Sequence, residues 1–268
     1  MTETFIFSRL ESIEKRFQEV DILLRFAEEN QNNEEAYSTL CRSAHIILVA
    51  HFEGAIKEIC RDVIDDINYN ITYDKIPSKI FATYCDYFLV KENNNEFSSK
   101  GKHKLKEKLS TAFGTSRATL KVEPFIFTEG KNLAPKIIET ILKRFGLDDF
   151  FWSLKNSSLD VVFQDSRTEI EELENLLQNH INGNVIRYPY TVNRGIYNPD
   201  ENILTETKQK TLWEEFIDDI LKERHNIVHG QVLNNPYNHE DLNKAKIKIK
   251  IVIYVFIINL AFISNPNS

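Results

Sequence analysis

Through the first thirty positions Phe5, Leu10, Ile13, Phe17, Val20, Leu24 and Ala27 mark one apolar stripe, with charged residues on the other face. That spacing keeps one face of a 3.6-residue helix apolar and predicts an amphipathic helix over about 5–29. The polar run at 30–33 reads as a turn. A longer helix is predicted over about 34–67, and between 44 and 59 it is apolar round most of its circumference, as a central bundle element would be.

Prolines at 77, 124, 135, 189 and 199 punctuate the middle of the chain. Helices are expected there over about 78–90, 98–113, 134–145 and 166–181. The last carries a capping pair, Ser166 with Glu169, and a glycine stop at Gly183. A further helix starts at Thr211, paired with Glu214 in a capping box, shows apolar residues at Trp213, Phe216, Ile217, Ile220, Leu221 and Val228, and stops at Gly230. After a turn over 234–237, Asn238 and Asp241 form a plausible cap for a final apolar segment reaching about 263. By propensity its β-branched residues and the alternation Lys246-Ile247-Lys248-Ile249-Lys250 favour a strand. The unbroken apolar run 251–258 ends at Asn259, short of the roughly 18–20 residues that span a bilayer. A buried helix, not a membrane tail, is the expectation.

These patterns make the fold class all-α. The expected organisation is one domain over 1–268, a helical bundle built from about 1–69 and 205–268 with a mainly helical insertion over about 70–204. With 268 residues, 42% of them hydrophobic, the chain can bury a sizeable core. A formal charge of −7 argues against a protein that coats nucleic acid non-specifically, yet leaves room for a nuclease with a local basic surface. Cys41, Cys60 and Cys85 are odd in number and lack metal-ligand spacing, and the first residues lack the sections of a signal peptide. Reduced thiols and a cytoplasmic location are expected. Neither metal nor cofactor is expected: there is no phosphate-cradling glycine loop, no serine or cysteine nucleophile motif and no carboxylate cluster of a two-metal nuclease.

Chemistry outweighs packing in one stretch, 224–230, Arg-His-Asn-Ile-Val-His-Gly. Arg224 lies four residues after Ile220 and four before Val228, so it points along the apolar stripe of its helix. A guanidinium there is paired with a neighbouring helix, open to water in a cleft, or reserved for an anionic ligand, because burying an unpaired charge costs several kcal/mol or more. His229 is five residues on, about 140° round an ideal helix and about 7.5 Å along it. The two can meet at one phosphate if the last turn unwinds, or if two copies of the helix end face each other across a dimer axis. An always-charged arginine and a histidine, whose side chain generally titrates near neutrality, suit phosphodiester cleavage: one binds the phosphate, the other moves protons.

The arrangement Arg224, four residues, His229, Gly230 resembles the signature of HEPN-domain ribonucleases, in the variant found in bacterial toxin and phage-defence proteins. The stretch 43–57, Ser-Ala-His-Ile-Ile-Leu-Val-Ala-His-Phe-Glu-Gly-Ala-Ile-Lys, resembles the long helix that those proteins carry early in the chain. The resemblance covers about the first 70 and the last 60 residues. It implies a HEPN-like helical bundle that dimerises and cuts RNA without metal, the 2′-hydroxyl acting as internal nucleophile. Arg224 would hold the scissile phosphate and His229 would be general acid or base. The family's polar residue after the arginine is His225 here, and Asn226 could serve instead. An antitoxin or defence-system partner is a further implication. The alternative is a non-catalytic helical module of the same fold that binds RNA, nucleotide or a protein.

Two residues of the early helix are candidates for supporting the site. His51 is either a core histidine or a supporting group, and Glu53 is a possible partner for Arg224. Two stretches could touch RNA. Lys100, Lys102, Lys104, Lys106 and Lys108 make a basic run that is otherwise plain solvated surface, and the loop 184–198 interleaves Arg187, Tyr188, Tyr190, Arg194 and Tyr197, able to stack bases or to pack as a short hairpin on the bundle.

Overall fold

A computed structural model describes residues 3–92, 99–126, 133–155, 157–164, 167–199, 209–231 and 237–266. Helix α1 (Phe5–Glu29) and helix α2 (Glu34–Asn70) form an antiparallel pair, and each starts where the sequence supplies a cap. Thr4 Oγ1 accepts the Phe7 N–H at 3.1 Å, and Asn33 Oδ1 accepts the Ala36 N–H at 3.1 Å. The start of α1 is also held from a distance: the Asp66 carboxylate of α2 accepts from Phe5 N (2.8 Å), Ile6 N (3.3 Å) and the Tyr190 hydroxyl (2.7 Å).

Burial pushes the Asp66 carboxyl up to about 6 in spite of those three donors. A group whose folded-state pKa is raised adds stability below its ordinary pKa and loses it as pH rises through the folded value. This contribution is therefore lost between about pH 4 and pH 6. Asp66→Asn is expected to flatten that part of the stability curve, read from urea unfolding midpoints at steps across pH 4–7. A variant with the slope of the parent would show that Asp66 does not titrate there.

Helix α9 (His239–Ile263) packs against α1, α2 and helix α7 (Arg167–Asn184). Residues 249–261 are all buried, including Asn259. A lone strand so enclosed would leave its backbone N–H and C=O groups unpaired, whereas a helix satisfies them internally, and that cost outweighs β-branched propensity. The capping box Asn238/Asp241 starts the helix. The three alternating lysines then fan out by helical geometry. Lys246 and Lys250, four apart, both face α1, Lys246 pairing with Asp21 and Lys250 with Glu14 at 2.9 Å. Lys250 also pairs with Glu174 of α7. Lys248 turns the other way, its ammonium over the Phe163 and Phe216 rings at 4.6 and 5.5 Å. Asn259, which interrupts the apolar run, donates to the Tyr197 hydroxyl (3.0 Å) and to the Val255 carbonyl (2.8 Å).

The middle of the chain forms α3 (Ser78–Glu92), α4 (Ser99–Phe113), α5 (Pro135–Phe145), the short α6 (Phe150–Leu154) and α7. Its buried side chains join the same core as those of α1, α2 and α9. Among the described residues there is no strand, only an isolated bridge between Thr72 and Arg117, and the fold is all-α. No described helix is long and apolar enough to cross a membrane. One sequence expectation needs correction. Gly183 does not stop α7, which runs on to Asn184, since nothing crowds that position and neighbouring turns carry the helix through. Of the two readings of the loop 184–198, the structure agrees with packing on the bundle: Tyr190 and Tyr197 are buried, and the Tyr188 hydroxyl donates to the Ser264 carbonyl at 2.7 Å. The expected cap residue Ser166 and most of the expected turn at 234–237 lie outside the described residues.

Candidate active site

Helix α8 (Leu212–Val228) opens on the expected capping box, Glu214 N–H to Thr211 Oγ1 at 3.2 Å and Thr211 N–H to Glu214 Oε2 at 2.8 Å. It buries Trp213, Ile217, Ile220 and Leu221. It ends in a Schellman turn. Gly230 adopts φ +65°, its N–H donates to the Ile227 carbonyl at 3.1 Å, and the Gln231 N–H reaches the Asn226 carbonyl at 2.9 Å. No atom lies within 4 Å of where a Cβ would stand, so glycine is required there by the left-handed backbone and not by crowding.

This turn positions the histidines. His229 is the C-cap, and its N–H donates to the His225 carbonyl at 3.0 Å. The imidazoles of His225 and His229 consequently meet, with centroids 4.2 Å apart and planes tilted by 51°, and both are exposed. Because that helical bond is in place, the last turn is not unwound toward Arg224. Asn226 instead donates to Glu223 Oε2 at 3.3 Å. Val228, beside the histidines, is 52% exposed.

Arg224, directly before His225 and five residues before His229, is half-buried. Its Nε is enclosed, and among the described residues it has no hydrogen-bond partner and the guanidinium forms no ion pair. The pairing with Glu53 considered from the sequence is not formed: Glu53 Oε1 accepts the Leu133 N–H at 3.3 Å, tethering α2 to the start of α5. His51 faces α1, with Nε2 at 3.0 Å from Glu19 Oε2 and its ring tilted against Phe17 at 6.4 Å. Neither residue is among the described partners of Arg224.

A histidine given no role from the sequence lies closer. His45 is fully buried in α2, and its Nε2 donates to the Ile220 carbonyl at 3.0 Å, one turn before Arg224. The Tyr237 ring packs edge-on against it at 5.3 Å. The available signal was a polar residue inside the apolar run 44–50, a position where a buried side chain needs a partner. His45→Leu is expected to cost about 1–3 kcal/mol by leaving a buried acceptor short of a donor, while His45→Gln, whose amide nitrogen can take the place of Nε2, loses less. Urea unfolding of both variants reads the difference, and equal losses would mean that packing alone matters at this position.

Among the described residues, none of the expected RNA-contacting side chains has a described contact with Arg224, His225 or His229. Lys104 is exposed on α4, and the side chains of Lys100 and Lys102 lie outside the description. Arg187 is exposed, whereas Arg194 is turned inward, its Nε donating to the Tyr197 hydroxyl at 3.4 Å and its guanidinium 5.7 Å from the Phe262 ring centroid.

Neither the curated proteins nor the solved structures contain a match to the chain. The model of the family RiboL-PSP-HEPN does match, over residues 11–260, a span that includes α8 and the whole middle of the chain. With an all-α fold and a family match over most of its length, the chain belongs to the RiboL-PSP-HEPN family of HEPN domains.

Proposed function

We propose that this protein is a metal-independent RNA endonuclease in which Arg224 and His229 carry the reaction. The observation that carries the reading is the enclosed Nε of Arg224, without a partner among the described residues, on the residue next to an exposed pair of imidazoles. A half-buried arginine whose Nε is enclosed without an acceptor, and which forms no ion pair among the described residues, is poorly satisfied in a purely structural role and suits an anionic ligand. Arg224 binds the scissile phosphate. The 2′-hydroxyl attacks phosphorus, the bond to the 5′-oxygen breaks, and the proton lost by the 2′-oxygen is balanced by one delivered to the leaving oxygen. His229 serves in this proton transfer as general acid or base, and His225, packed against it at a tilt, holds the ring. Membership of a HEPN family supports the reading.

The closed helical bond between His229 and His225 leaves the second geometry for a shared phosphate, so the proposal includes a homodimer in which two α8 ends face each other, with exposed Val228 at the seam. Such a nuclease would act in the cytoplasm as a toxin or antiphage effector restrained by a partner protein. The test is incubation of total and transfer RNA with the purified protein in EDTA, with analysis of the product ends. Cutting that leaves 2′,3′-cyclic phosphate and 5′-hydroxyl ends is expected. Cutting that depends on added metal, or that leaves other ends, would overturn the mechanism, and a particle of one 31.3 kDa chain during turnover would overturn the shared site.

A further inference from the structure

At the far end of α2 from the histidines, side chains distant in sequence form an exposed shelf. Phe5 and Tyr69 are 45% and 48% exposed, and their rings meet edge to face with centroids 6.4 Å apart. The Arg117 guanidinium lies over the Tyr69 ring at 5.5 Å, and among the described residues it forms no ion pair. These three side chains, with Asp65, Asn68 and Thr119, line an open cleft of about 360 Å³. The backbone beneath is rigid. Asn68 clamps Leu120 by two hydrogen bonds, of 2.6 and 2.8 Å, and Ala118 N–H donates to the Ile71 carbonyl at 3.1 Å.

Charge extends the shelf in one direction. Segment 99–117 carries five lysines and Arg117 against Glu107 alone, in a chain whose net charge is −7. Helix α4 within it is joined to the shelf where exposed Phe113 stacks on Tyr73 at 4.5 Å, four residues after Tyr69. Exposed rings, a planar cation that forms no ion pair among the described residues, and a flanking helix rich in lysine are the chemistry that holds single-stranded nucleic acid, rings stacking on bases and cations meeting phosphates.

We propose that the Phe5–Tyr69–Arg117 shelf is a binding site for single-stranded RNA, with α4 carrying the strand's phosphates. From His45 to Tyr69 along α2 is about 36 Å at 1.5 Å per residue, so the shelf holds substrate away from the scissile bond. The choice of RNA as ligand rests on the nuclease reading, and the experiment separates the two.

Binding of a labelled 2′-O-methyl oligoribonucleotide, which has no free 2′-hydroxyl to attack, is followed by fluorescence anisotropy. Tyr69→Ala and Arg117→Ala, at exposed positions, are expected to weaken it about tenfold each, and Tyr69→Phe, which keeps the ring, about twofold or less. Arg117→Ala should also lower the salt dependence of affinity. Unchanged affinity in both alanine variants, or no binding by the parent protein, overturns the proposal and leaves the shelf to a protein partner. RNA cutting with unchanged affinity in the variants removes the shelf and keeps the nuclease. Shelf-dependent binding without cutting does the reverse.

Discussion

His229→Ala is expected to lower RNA cleavage by about 10²–10⁴-fold, the contribution of a positioned acid or base, while leaving stability within about 0.5 kcal/mol. The two readouts separate because His229 is exposed at the C-cap and its described side-chain contact is the His225 ring. The backbone bonds of the Schellman turn do not involve its side chain. Arg224→Leu completes the test. It removes phosphate binding, so cleavage should fall, but it also removes an enclosed and unpartnered Nε, so the melting temperature should hold or rise. Loss of activity without loss of stability is the mark of a group kept for a ligand. If His229→Ala instead melts the protein, or cuts as well as the parent, the nuclease assignment falls.

The largest expected effect on stability lies elsewhere. Lys250→Met should cost about 3–5 kcal/mol, measured as the shift in urea unfolding, although methionine keeps most of the volume. Lys250 is 8% exposed and bridges Glu14 of α1 to Glu174 of α7, and the Tyr254 hydroxyl also donates to Glu14. Burial pulls the Lys250 pKa down, yet the two carboxylates hold it above its usual value, which means the ammonium is charged where it sits. Without it, two carboxylates that are 31% and 15% exposed face each other with no cation between them. Combining Lys250→Met with Glu14→Gln and Glu174→Gln should recover most of the loss, because a neutral buried cluster avoids the penalty of uncompensated charge. A small loss in the single variant would show that the pairing contributes little to holding α1, α7 and α9 together.

What could be read from the sequence is what forms locally. The cap Thr211/Glu214, the cap Asn238/Asp241 and the stop at Gly230 were readable because their bonds link residues at most five apart, where neighbouring chemistry alone decides. The period of apolar residues likewise placed α1 over 5–29 and put Arg224 in line with Ile220, although the stripe is buried only as far as Leu221 and its last member, Val228, is exposed. In the last helix, local propensity favoured a strand but the overall pattern led to the expectation of a buried helix, and enclosure by α1, α2 and α7 is the physical reason that the helix forms. Gly183 reads as a stop and is passed over, because glycine permits a left-handed turn without compelling one.

Partnership was decided by the tertiary structure. Glu53 reaches Leu133, 80 residues away, rather than Arg224, Lys250 meets Glu14 across 236 residues, and His45 finds the Ile220 carbonyl across 175. The shelf of Phe5, Tyr69 and Arg117 is likewise assembled from three separate parts of the chain. A sequence determines which groups need a partner, through burial and charge along each helix. Which partner they get depends on how helices far apart in the chain are packed, and that is a property of the whole core.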